Sequence, residues 1–272
     1  MKDLKQTAKQ WLETGKVDIF LGYRLVDGHP IPHGFSADKL EELGELVNSD
    51  SRYSLEKLAV KLSSRHPDSV IGMLARDCNQ RALNVLAIWN QLPSESVKTL
   101  TINCCPSPSK PHAACSYLEP EKPGINKMEF GLPLNSDVYE VEMEGQGERF
   151  SRWMYEFQKC IKCYGCRNIC PVCFCKDCSL ENADLVHSGR LPPDVPIFHL
   201  VRATHMAGRC IDCGLCEEAC PMDIPLRLLY RKVNNIVSNV FDYETGSSAN
   251  QSPFSVLGDK VTLDPKPLKK VL

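Results

Sequence analysis

The sequence predicts two folds in series: a small N-terminal α/β domain with parallel strands, then a C-terminal α+β domain organised by cysteine-rich loops and interrupted by a long insert. Three observations support this. Between Ser69 and Asn103 an apolar run, a helical stretch and a second apolar run follow one another, the order whose crossover makes two strands parallel. The run Cys160-x2-Cys163-x2-Cys166-x3-Cys170-Pro171 returns fifty residues later as Cys210-x2-Cys213-x2-Cys216-x3-Cys220-Pro221. Six prolines from Cys105 to Pro133 mark a loop-rich connection between these regions. The expected divisions are an α/β domain over 1–148, a cysteine-rich domain over 149–240 and a tail over 241–272.

The elements follow from periodicity and punctuation. Leu4, Ala8, Trp11 and Leu12 recur at helical spacing, Gly15 stops that helix, and Val17 to Tyr23 reads as a buried strand. Asp27, Gly28 and His29 form a turn on residue type alone. Ser36 is an expected N-cap for a helix through Leu40, Leu43 and Val47, and Ser54 for one carrying Leu55, Leu58 and Leu62. Ser69 to Ala75 is an apolar run, Arg76 to Asn79 a polar turn, Arg81 to Leu92 a helix and Lys98 to Asn103 a strand. Helices are expected again at Arg149 to Lys159, with Phe150, Trp153 and Phe157 on one face, and at Ile224 to Asn239.

Composition bounds the function. With 272 residues the chain can bury an ordinary core without disulfide staples. A net charge of −2 supplies no basic field for nucleic acid or anionic lipid, and no apolar run reaches the length of a membrane-spanning helix. The polar start, Met1 to Gln10, carries no secretion signal, so a cytoplasmic protein without membrane insertion is expected. Eleven of the fifteen cysteines lie between Cys160 and Cys220. In a reducing compartment such crowding argues for thiolate ligands on metal.

The repeated run has the eight-cysteine spacing of two-cluster bacterial ferredoxins. A Cys-x2-Cys-x2-Cys loop wraps three corners of a 4Fe–4S cubane, and the cysteine before proline closes the other cluster. Ligation is therefore crossed: Cys160, Cys163, Cys166 and Cys220 for cluster one, and Cys210, Cys213, Cys216 and Cys170 for cluster two. Zinc sites pair two Cys-x2-Cys knuckles and do not repeat a four-cysteine run ending in Cys-Pro. Gly165 and Gly214 suit close approach of backbone N–H groups to cluster sulfides.

Seven cysteines remain: Cys78, Cys104, Cys105, Cys115, Cys173, Cys175 and Cys178. Cys78 and Cys104 each follow an expected strand, which puts both thiols on the carboxyl rim where open α/β sheets bind ligands. Cys175 and Cys178 could add two corners of a third cubane. The alternative is that Cys78 and Cys115 are ordinary buried thiols and that Cys173 to Cys178 holds zinc or nothing.

Through Lys16-Val17-Asp18, Arg52-Tyr53-Ser54, Val70-Ile71-Gly72 with Cys78, and Leu100-Thr101-Ile102-Asn103-Cys104, the N-terminal part resembles beta subunits of F420-reducing hydrogenase and F420-linked formate dehydrogenase. The string Cys170 to Cys178 is similar to the ferredoxin part of formate dehydrogenase beta subunits. This resemblance implies that Cys78, Cys104, Cys175 and Cys178 hold one cubane, with Cys105 and Cys173 as substitutes. Flavin-carrying members have an N-terminal glycine pair where this chain reads Thr7-Ala8-Lys9-Gln10-Trp11, so FAD is not implied. His205 to Cys210 and Met222 to Arg227 are similar to iron–sulfur subunits that work with heterodisulfide reductase-like and hydrogenase modules in anaerobes.

His199 and His205 are read as solvated or supporting residues, since eight thiolates complete two cubanes. Lys159, Lys162, Arg167, Arg202 and Arg209 are read as solvated charges, with balancing of cluster charge or docking of an acidic partner as the alternative. No motif for hydride, acyl or phosphoryl chemistry is present, and no catalytic residue is assigned. The resulting expectation is an iron–sulfur electron-transfer subunit working between a dehydrogenase or hydrogenase module and a heterodisulfide reductase-like module. The alternative is a flavin-dependent F420 or ferredoxin oxidoreductase with its own substrate site.

Overall fold

The computed structural model describes residues 2–49, 51–102, 141, 144–187, 191, 194–247 and 252–254. Cys104, Cys105, Cys115, most of the proline-rich connection and the end of the tail lie outside them. The chain forms two compact units, Met1–His112 and Ala113–Leu272.

In the first unit, α1 (Lys2–Glu13) precedes β1 (Ile19–Val26) and β2 (His29–Ser36), an antiparallel hairpin. Asp27 and Gly28 both take positive φ, 50° and 79°, which the two-residue turn of a right-twisted hairpin requires. The short β3 (Leu46–Val47) pairs antiparallel with the second half of β1. After α2 (Leu55–Arg65), β4 (Ile71–Ala75) runs parallel to the first half of β1, and after α3 (Asp77–Ile88), β5 (Val97–Thr101) runs parallel to β4. The sheet order is β2-β1-β4-β5, a mixed α/β sheet with every residue of β4 buried. Gly72 is required within β4, because a Cβ there would meet Phe20 Cδ2 at 2.6 Å.

Three local expectations change. Segment Ala37–Glu45 is a 3-10 helix and not an α-helix, and the Ser36 side chain makes no capping hydrogen bond. The strand β2 was unexpected: Pro30 and Pro32 argue against a central strand, and they are accommodated on the sheet edge. The Arg76 to Asn79 segment is not a turn but the start of α3, so Cys78 lies in the first turn of a helix. Ser54 does cap α2, accepting from the Lys57 N–H at 3.3 Å.

A buried polar group closes the carboxyl end of β4. Glu56 is 1% exposed and accepts from Asn79 Nδ2 at 2.7 Å and Ser54 Oγ at 2.9 Å, while the buried Arg76 donates from Nη1 to the Ser51 carbonyl at 3.1 Å. Burial raises the Glu56 carboxyl above its usual 4.5, against the lowering effect of those hydrogen bonds and of Arg76. As pH rises past 4.5 the unfolded chain therefore loses this proton first, and stability falls until the raised native value is passed. Glu56→Gln is expected to remove that component of the pH slope, read as urea midpoints from Trp11 and Trp89 fluorescence. An unchanged slope would show that the carboxyl does not titrate as its burial requires.

The second unit contains α4 (Gln146–Gln158), the single-turn α5 (Gly165–Asn168), α6 (Ile197–His205), the single-turn α7 (Leu215–Glu218) and α8 (Leu226–Phe241). Each single turn begins just before the third cysteine of its loop, and the two turns pack together. The long helices α6 and α8 also pack on each other. Among the described residues no helix is long and apolar enough to cross a membrane.

Candidate iron–sulfur site

The two cysteine loops share one backbone solution. The residues flanking the middle cysteine take positive φ in both: Lys162 (56°) and Tyr164 (57°) around Cys163, and Asp212 (55°) and Gly214 (78°) around Cys213. Such alternation curls the chain so that successive N–H groups point inward, a concavity suited to an anionic group. In the first loop the Lys162 N–H donates to Cys160 Sγ and the Gly165 N–H to Cys163 Sγ, both at 3.4 Å. Gly165 has no room for a side chain, since a Cβ would sit 2.9 Å from the Ala219 carbonyl oxygen.

Each loop opens onto a cavity. One is lined by Cys160, Cys163, Cys166 and, from the other motif, Cys220. The second is lined by Cys210, Cys213, Cys216 and, again from the other motif, Cys170. The last cysteine of each run thus faces its partner's cavity. Among the described residues no three His, Cys, Asp or Glu side chains are gathered to hold a single metal ion. A tetrahedral zinc site needs sulfurs roughly 3.8 Å apart, from Zn–S bonds of about 2.3 Å. Four thiols lining one cavity are the donor set a 4Fe–4S group uses.

The surroundings agree with that donor set. Burial pushes Cys160 up to about 11, with the Lys162 N–H opposing, and Cys210 up to about 12, with Asp212 adding to the effect. Cys216 is raised well above its usual 9.0 by burial and by Cys213. Such thiols stay protonated in an apolar pocket until a cation displaces the proton, so metal entry and proton release are coupled. His199 also lines the first cavity. It is 1% exposed, stacks on Phe157 at 4.8 Å, and among the described residues has no hydrogen-bond partner at either ring nitrogen. An imidazole buried without a partner is costly, and a sulfide of a bound cluster would supply the missing acceptor.

The expected site residues outside these loops have varied placements. His199 and Arg202 are buried on α6 and are not solvated, whereas His205 is exposed. On Arg202, burial acts downward but Tyr230, Cys170, Cys166 and Cys173 outweigh it, and the net direction is upward. Cys175 is exposed with the Arg209 guanidinium 3.8 Å from its sulfur, and Cys178 packs against Leu180, Val186 and Phe198. In the first unit, burial and then Glu56 raise the Cys78 thiol.

Sequence reasoning missed a group behind the second loop. Asp212 receives Arg227 Nε at 2.7 Å and Arg231 Nε at 3.0 Å, all three side chains being buried. Arg227 and Arg231 are four apart on α8, so one helix face presents both to the loop. An acid inside a cysteine loop with two such arginines downstream was the available signal.

Residues 203–225 match the 4Fe-4S binding domain family. The chain is similar to the F420-dependent formate dehydrogenase subunit beta of Methanocaldococcus jannaschii, 39% identical over 122 residues, which is 45% of this chain and 32% of that protein. It is equally similar to the F420-dependent formate dehydrogenase 1 subunit beta of Methanococcus maripaludis, 39% identical over 122 residues, 45% of this chain and 31% of that protein. The chain therefore aligns with about a third of the length of these curated relatives, and its second unit carries a 4Fe-4S binding domain.

Proposed function

We propose that the chain is an iron–sulfur electron-transfer subunit of an F420-linked oxidoreductase complex of the formate dehydrogenase kind. The carrying observation is that each of two cavities is lined by four cysteines drawn from both motifs. In this reading Cys160, Cys163, Cys166 and Cys220 hold one 4Fe–4S cubane and Cys210, Cys213, Cys216 and Cys170 the other. Cys78, Cys104, Cys175 and Cys178 hold a third, supported by their motif positions and by the likeness to the two beta subunits. Bound cubanes supply one-electron transfer at potentials set by hydrogen bonds, burial and nearby charge. The chain's own residues fix the four thiols, aim N–H groups at them and exclude water.

The partners in this reading are a dehydrogenase or hydrogenase module on one side and a heterodisulfide reductase-like module on the other, in the cytoplasm of an anaerobe. The supports are the absence of any catalytic motif and the likeness of His205 to Cys210 and Met222 to Arg227 to subunits of such complexes. The names of the two relatives keep an F420-dependent reaction in view, the second reading being a flavin-dependent oxidoreductase with its own substrate site, and one measurement separates the two. Anaerobic reconstitution followed by iron and flavin analysis is expected to give about twelve irons per chain, from three four-iron cubanes, and no flavin. Bound FAD would favour the oxidoreductase with its own substrate site, and a colourless zinc protein would end both readings. Changing Cys78 and Cys178 together to serine should lower iron by about four per chain and leave two cluster signals. About eight irons in the parent, unchanged in the double variant, would remove the third cluster.

A further inference from the structure

Arg202 is 4% exposed, and a guanidinium so deeply buried ordinarily faces a carboxylate. Here it does not. Nη2 donates to the Cys166 carbonyl oxygen at 2.7 Å, in the first loop. Nη1 lies 3.9 Å from Cys173 Sγ, three residues beyond Cys170. The side chain lines the second cavity, with the Tyr230 ring centroid 5.9 Å from its central carbon, and among the described residues its Nε–H has no acceptor. The cation therefore touches the loop of one cavity and forms part of the wall of the other, with hydrogen-bonding capacity unspent.

We propose that Arg202 is the shared counter-charge of the two clusters, a fixed cation that favours the reduced, more negative state of each and so raises both potentials. The inference rests on the reading of the two cavities as cubane sites. Its physical basis is Coulombic: a charge inside the protein acts through a low effective dielectric and is little screened by salt, unlike a lysine or arginine on the surface. The placement also explains why the long insert between the motifs carries a helix, since α6 is the element that delivers Arg202.

The test uses the full, anaerobically reconstituted chain and its variants Arg202→Gln and Arg202→Lys, followed by EPR-monitored redox titration at low and high salt. In Arg202→Gln both midpoints are expected to move to more negative potential, by an amount that does not shrink as salt is raised, with iron content retained. Arg202→Lys keeps the charge without the planar fork, and its midpoints should stay near those of the parent. Unchanged midpoints in Arg202→Gln, or movement of one cluster alone, would overturn the proposal. If Arg202→Gln loses iron, Arg202→Lys decides: midpoints near the parent support a charge effect, and a clear negative shift with the charge retained refutes it. A parent chain that binds no iron would instead defeat the cubane reading itself, and this inference with it.

Discussion

Cys170→Ala is expected to abolish the cluster of Cys210, Cys213 and Cys216 while sparing that of Cys160, Cys163 and Cys166, with Cys220→Ala doing the reverse. Each change should cost about four irons per chain, because a cubane deprived of one of its four thiolates is labile. The distant loss follows from the cavity walls, where Cys170 stands with the second loop and Cys220 with the first. If the cavities hold the proposed cubanes, metal binding is part of the folding energy, and each variant should also unfold at lower denaturant than the parent. EPR of the two single variants, compared with the parent, assigns the losses. Depletion of the nearer cluster in Cys170→Ala would mean that ligation is not crossed.

The largest effect on stability without touching a cysteine is expected at Asp212. Its carboxylate meets two arginines from one helix face, and all three groups are nearly free of solvent. Removing one partner from a buried ionic group strands the remaining charge, which costs about 3–5 kcal/mol. Asp212→Ala adds backbone strain, because φ at this position is 55° and aspartate tolerates that region better than alanine. Asp212→Asn separates the two contributions by keeping that tolerance while losing the charge. For comparison, deleting Glu181, the more exposed partner of Arg167, should cost less than about 1 kcal/mol. Urea unfolding of the three variants checks the order, and an Asp212→Ala cost no larger than that of the Glu181 variant would refute the role given to the triad.

The cysteine pattern was legible because cluster geometry admits few ligand spacings, so eight residues told which cysteines would line one cavity without knowledge of the backbone. The parallel pair β4 and β5 was legible for a similar reason: two apolar runs joined by a helix leave little topological freedom. What escaped was decided by neighbours distant in sequence. Pro30 and Pro32 read as strand breakers until the sheet edge accommodates them. Arg202, His199 and Asp212 look like surface residues in a linear string, and only the packing of α6 and α8 around the loops buries them. The start of the helix containing Cys78 reads as a turn because Asp77 and Asn79 are also turn formers, while the structure uses the Asn79 side chain to accept the Arg76 N–H at 2.8 Å.

The exchange of the two prolyl-flanked cysteines between cavities makes this unit a clasp. A fragment ending before Cys210 keeps three thiols of the first cavity and loses Cys220, and one starting after Cys170 keeps three of the second. Neither half alone completes a four-cysteine lining, so in the proposed reading the segment joining them is held at both ends by the same fastening. Once the clasp is shut, the length of chain between Cys178 and Cys210 matters little, because doubling a flexible loop costs only about 0.6 kcal/mol. The insert can thus vary in length only outside α6, the element that carries the buried His199 and Arg202 to the two cavities.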